Sequence, residues 1–116
     1  MIEMTVNYDG RIFKPVQSTE NSETSNETIF RYQQHENILT STYLGGRIKF
    51  GHLLGIVNED GSIDMQYHQV NDRGELMTGT CHSTPEVMAN GKLRLHEAWQ
   101  WTSGDLSTGN SVLEEQ

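Results

Sequence analysis

The segment SIDMQYHQVNDRGELMTGTCHS, running from Ser62 to Ser83, decides the fold. Two runs of apolar, β-branched and aromatic residues, Ser62 to Val70 and Glu75 to Ser83, flank Asn71-Asp72-Arg73-Gly74. The pattern Asn-x-x-Gly suits a type I turn closed by a left-handed glycine bulge, since glycine takes positive φ without a steric penalty. Such a turn fixes the register of a hairpin. Asn71 then faces Glu75, Gln69 faces Met77, Tyr67 faces Gly79 and Met65 faces Cys81. Asn58-Glu59-Asp60-Gly61 repeats the signature, so that Val57 faces Ile63 and Leu53 faces Tyr67.

Working outward, further turn signals stand at His35-Glu36-Asn37, Gly45-Gly46, Asn90-Gly91 and Ser103-Gly104-Asp105. Between them lie strand-like runs at Thr28 to Gln34, Ile38 to Leu44, Arg47 to Val57 and Lys92 to Trp101, with Arg11 to Val16 before and Ser111 to Glu115 after. Successive hairpins of about eight strands predict an all-β, antiparallel meander closed into a small lipocalin-like or calycin-like barrel. A two-sheet sandwich of the same strands reads alike. Residues 1–116 are expected to form one domain, with 17–27 as a polar loop or lid that lacks any large apolar side chain. Thr84-Pro85-Glu86 has the composition of a helix start and predicts one helical turn.

Alternation then sorts the side chains. With Gly45-Gly46 taken as a two-residue loop, Leu44 pairs with Arg47, Thr42 with Lys49 and Ile38 with Leu53. One face collects Ile38, Leu53, Val57, Ile63, Met65, Tyr67, Gln69, Met77, Gly79 and Cys81, and it reads as the interior, with Gly51, Gly55 and Gly79 leaving room. The last long strand adds Leu93, Leu95, Trp99 and Trp101, with Glu97 on the same parity. Residues 47–57 are apolar on both sides, through Phe50, Leu54 and Ile56 on the opposite parity, and a slip of one residue would exchange the faces.

Glu97 is the first candidate for chemistry, because a carboxylate on an apolar wall needs a partner or keeps its proton. Its alternatives are an internal pairing with Tyr67 or Gln69, or a wet place at the rim. Tyr67 and Gln69 can orient a small ligand by donating and accepting hydrogen bonds, and Trp99 offers a ring face for stacking or simply for packing. Tyr67, Gln69, Glu97 and Trp99 are therefore the predicted ligand-binding residues. Four histidines fall one to a strand, yet His52 faces His68 and His82 faces Asp64 on the outside, so no metal site is expected. Cys81 and His82 point to opposite faces and cannot form a nucleophilic pair. No nucleophile elbow, phosphate loop or dinucleotide fingerprint occurs, and no cofactor is expected.

Sixteen acidic against eight basic residues give a net charge of -8, which opposes binding to nucleic acid or anionic membranes. No apolar run approaches the roughly 18 residues that span a bilayer as a helix. One cysteine and the lack of a signal-peptide pattern point to the cytoplasm.

The runs Asp64 to Asn71, Gly74 to Gly79 and Leu95 to Asp105, together with Arg11 to Pro15 and Gly45-Gly46, resemble a family of short bacterial proteins commonly labelled N-acetylglutamate synthase. The label implies acetyl transfer from acetyl-CoA to glutamate. The pyrophosphate-binding turn [Q/R]-x-x-G-x-[G/A] of common acetyltransferases has no match in this sequence. The leading expectation is that a small, partly apolar molecule binds inside the barrel. The alternatives are an enzyme, either the acetyltransferase of the label or a barrel enzyme using Glu97 as general base, and a homodimeric module built on the outer face of Phe50, Leu54 and Ile56.

Overall fold

Turn chemistry sets the strand order. The computed structural model describes residues 6–116, and every regular element among them is a strand. These are β1 (Ile12–Ser18), β2 (Ile29–His35), β3 (Ile38–Gly45), β4 (Ile48–Val57), β5 (Ile63–Asn71), β6 (Leu76–Val87), β7 (Leu93–Trp101) and β8 (Thr108–Glu115). Each pairs antiparallel with the next, and β8 returns to β1, so the sheet is a closed barrel and not a sandwich. Every described strand is thus paired on both sides, β1 and β2 over two residue pairs only.

The two Asn-x-x-Gly turns form as their residues dictate. Gly61 and Gly74 hold φ of 88° and 76°, and the amides of Asn58 and Asn71 donate to the carbonyls of Ser62 and Glu75. The predicted register follows in full: Val57 with Ile63, Leu53 with Tyr67, Gln69 with Met77, Tyr67 with Gly79, Met65 with Cys81.

The Gly45-Gly46 hairpin departs from expectation. Gly45 pairs with Ile48, Tyr43 with Gly51, Thr42 with His52 and Ser41 with Leu53, so Ile38 faces Ile56 rather than Leu53. Both glycines have positive φ and the turn sits one position later than a Gly-Gly loop would place it. A bulge then adds one residue to β4 between Ile48 and Phe50, against β5 on one side and β3 on the other. The bulge resolves the two-sided apolarity of β4. Ile48 points in before it, Gly51, Leu53, Gly55 and Val57 point in after it, and Phe50, Leu54 and Ile56 remain outside. Ile38, predicted inward, is exposed, and Leu39 takes its place in the core.

The predicted helical turn at Thr84-Pro85-Glu86 is strand instead, continuing β6. β5 ends opposite Ser83, so beyond that point β6 is bonded only to β7 and a residue lacking an amide hydrogen costs no ladder bond on the open side.

Three interior rings lie directly across the ladder from a glycine: Tyr43 from Gly51, Tyr67 from Gly79 and Trp99 from Gly109. A Cβ on any of these glycines would collide with the facing ring. The glycines therefore do not leave empty space, as the sequence suggested for Gly51 and Gly79. They let the rings lie flat against the wall, and what remains open is the centre.

The up-and-down path gives the barrel two unlike ends. At the base, residues 6–11 cross the opening: Tyr8 is fully buried, its ring lies 6.4 Å from Phe13 and 6.0 Å from Tyr32, and its hydroxyl donates to the Gly61 carbonyl at 2.6 Å. At the mouth, residues 19–28 between β1 and β2 fold over the opening, where the β3–β4, β5–β6 and β7–β8 turns also lie.

Candidate functional site

Glu97 shares the inward parity of β7 with Leu95 and Trp99, so alternation alone carries a carboxyl group into the barrel. Across the ladder it faces Ser83 on β6 and Ser111 on β8, and Ser111 in turn faces Ser18 on β1. A band of three serines and a glutamate thus crosses four adjacent strands. Ser111 Oγ accepts from Trp99 Nε1 at 3.0 Å. Ser18 Oγ, Ser83 Oγ and the Tyr32 hydroxyl are buried with no hydrogen-bond partner among the described residues.

Glu97 itself is partly accessible, and that surface faces an interior cavity rather than bulk solvent. Burial pushes its pKa up to about 7, an effect the Ser83 hydroxyl across the ladder offsets only in part. Burial first, and the Glu97 charge after it, hold the Tyr32 phenol and the Cys81 thiol far above their ordinary ranges. Cys81 is a protonated, enclosed thiol without the features of a nucleophile.

The cavity measures about 50 Å³, and Tyr67, Gln69, Glu97 and Trp99, the four residues singled out from the sequence, all line it. The structure brings them together in one chamber but gives them different freedoms. Gln69 is fully engaged, its Oε1 accepting from the Tyr43 hydroxyl at 2.7 Å and its Nε2 donating to Glu23 at 2.9 Å. Trp99 and Trp101 spend their N–H groups on Ser111 and on the Asn21 carbonyl, leaving ring faces to the interior. The two indoles meet edge to face at 5.6 Å and Tyr67 meets Trp101 at 5.8 Å, so three aromatic rings form a continuous wall. Glu97 pairs with neither Tyr67 nor Gln69.

The roof comes from the polar stretch 17–27, which the sequence marks as a loop or lid. Ser22, Glu23 and Thr24 close the cavity at the mouth, and Glu23 is only 6% exposed. Its Oε1 accepts from Gln69 Nε2, its Oε2 accepts from Asn71 Nδ2 at 2.8 Å, and Arg73 stands 3.6 Å away. No periodicity marks Glu23, because loop residues carry none. Ser83 and Ser111 were legible, since each shares its strand's inward parity with apolar neighbours.

Outside the barrel four of the five histidines, His52, His68, His82 and His96, each have one side-chain partner. His52 and His68 lie 3.3 Å apart, His82 contacts Asp64 at 2.7 Å and His96 contacts Glu86 at 2.7 Å, all exposed cross-strand pairs. Among the described residues no three His, Cys, Asp or Glu side chains converge as metal ligands would.

Compared with known proteins, residues 6–116 match the family model described as avidin-like protein, which takes in every described strand. No curated protein and no solved structure matches the chain. The match supports a small β-barrel family, while the acetyl-transfer label gains nothing: the described residues contain no helix whose start could hold a pyrophosphate.

Proposed function

This chain belongs to the avidin-like protein family, and on that premise we propose that it holds a small, partly apolar molecule inside the barrel. The observation that carries the reading is the interior cavity itself, where the inward carboxyl group of Glu97 stands against a wall of aromatic rings, with the partnerless buried hydroxyl of Ser83 across the ladder from it. Folded proteins rarely leave such groups orphaned, because each costs about 1–3 kcal/mol. A ligand with donors and acceptors at one end relieves that cost, and its apolar body lies along Tyr67, Trp99 and Trp101. Glu97, able to hold or release a proton near neutrality, serves a donor or an acceptor.

At about 50 Å³ the cavity holds a few waters, by the measure in which one needs roughly 10–15 Å³. Anything larger enters only when the Ser22 to Thr24 roof lifts. Native mass spectrometry of gently purified protein, beside the same sample denatured, tests the reading. A mass excess released on denaturation is the expected result; a bare chain that also fails to bind added compounds, with biotin tried first because the family name points to it, defeats the reading.

A second reading has its own observation. Ile38, Leu54 and Ile56 adjoin on the outer face of β3 and β4 and are 43%, 55% and 46% exposed, with Phe50 51% exposed on the same strand. Such a patch suits a homodimer. A doubled mass in the same spectra, lost in Leu54→Lys, supports it, and a monomer at micromolar concentration removes it.

A further inference from the structure

We infer that His52 and His68 form a two-point metal site on the outer wall of the barrel, where a late first-row divalent ion such as Zn²⁺ or Cu²⁺ binds with water completing its coordination. The site lies apart from the interior chamber and stands whether or not that chamber takes a ligand.

The turn at Asn58 to Gly61 sets β4 against β5 so that His52 lies directly across the ladder from His68. Both strands are bonded on their far sides as well, β4 to β3 and β5 to β6, which holds the wall beneath the pair in place. Alternation sends both side chains outward, because their neighbours Leu53, Tyr67 and Gln69 line the interior. His52 Nδ1 stands 3.3 Å from His68 Nε2, with ring centroids 5.4 Å apart, so the rings meet at their nitrogen-bearing edges. Two nitrogens each about 2.0–2.1 Å from one ion, at angles of about 90–109°, are about 2.8–3.4 Å apart. The pair already has that span. When an ion enters, each ring keeps its proton on the nitrogen turned away, His52 Nε2 and His68 Nδ1, so two neutral imidazoles remain and no net proton is released.

The other cross-strand pairs show why this one is open to an ion. His82 and His96 each direct a nitrogen at a carboxylate 2.7 Å away, on Asp64 and Glu86, and Glu86 also stands 3.5 Å from Arg94. An ion there must displace a short bond to a carboxylate, whereas between His52 and His68 it displaces only a long contact between two neutral rings. Thr42 and Thr78, which flank the pair across the ladder, and Leu54 and Gln66 along the strands bring no positive charge to repel it. Among the described residues no third ligand converges on the pair, so the ion keeps open positions and the site is exchangeable rather than a structural staple. The net charge of -8 draws cations toward the chain as a whole.

The test is a Cu²⁺ titration of the untagged protein at about pH 7.5, where imidazole is mostly neutral, followed by calorimetry and by electron paramagnetic resonance. One ion per chain is expected, with two imidazole nitrogens in its spectrum. His52→Gln and His68→Gln should each weaken binding at least roughly tenfold, and His82→Gln and His96→Gln by less than about twofold. Zn²⁺ added to the unsubstituted, isotope-labelled protein should shift the ring nitrogen resonances of His52 and His68 and leave those of His82 and His96 in place, which reads the site without any substitution. No uptake of the ion, a smaller loss in either of the first two variants, or an equal response at His82 or His96 overturns the site.

Discussion

The two ends of this barrel are closed by opposite chemistry. At the base, Tyr8 seals the opening with a fully buried ring packed on Phe13 and Tyr32 and a hydrogen bond to Gly61. At the mouth, the seal is a carboxylate bound to two side-chain amides, with Thr19, Asn21 and Thr24 around it. Apolar contacts have no substitute in water, so displacing the base plug exposes surface at full cost. Hydrogen bonds at the mouth can be remade with solvent or with a ligand, so opening there costs only the difference between partners. The base is a floor and the mouth is a door.

The sharpest way to break that comparison is to remove the floor. Tyr8→Ala should destabilise the protein by about 3–5 kcal/mol in urea unfolding, the range for deleting a buried aromatic side chain. A loss below about 1 kcal/mol would make the base as open as the mouth.

Between the two ends lies Glu97, and its response to pH reports how dry the chamber is. Its pKa is raised from the ordinary glutamate value to about 7 in the folded protein. Between those values the folded state keeps a proton that the unfolded chain has released, so stability falls as pH rises through the window and levels above it. Glu97→Gln removes this dependence. It should stabilise the protein at pH 8 by up to about 3 kcal/mol and make little difference at pH 4, as read from denaturation at both values. Equal effects at the two pH values would mean that water already reaches the carboxyl group freely.

The smallest effect belongs to the door. Glu23→Gln keeps the side chain's length but offers the amides of Gln69 and Asn71 one acceptor instead of two, and should cost about 1 kcal/mol. Its clearer signature is faster amide hydrogen exchange in residues 19–28, with protection around Tyr8 unchanged. Loosening at both ends together would erase the distinction between them.

Much of the walls was legible in the sequence; the door was legible only as the polar loop or lid at 17–27, and the Tyr8 floor was not. The Asn-x-x-Gly turns fixed the β4–β5–β6 register because their geometry depends on four local residues. The same parity rule put Tyr67, Gln69, Glu97 and Trp99 inside. The β3–β4 register was misread because the β4 bulge is set by packing on two neighbours at once, which places Ile48 and Gly51 both inward. Pro85 was misread because its helix-start composition is outweighed by pairing with β7. Glu23 reaches Gln69 and Asn71 across 46 and 48 positions of chain, a contact that only the closed barrel creates.

The rings laid over glycines have a bearing on redesign. Because Tyr43, Tyr67 and Trp99 each rest on a residue without a side chain, the bore of the barrel is set by what these three positions carry and not by the course of the backbone. Trimming a ring would widen the chamber with every ladder bond intact, while adding a methyl group at Gly51 or Gly109 would force a ring inward and narrow it; at Gly79 it would also meet the Gln100 backbone carbonyl. One strand register could in this way be tuned to guests of quite different girth, three positions at a time.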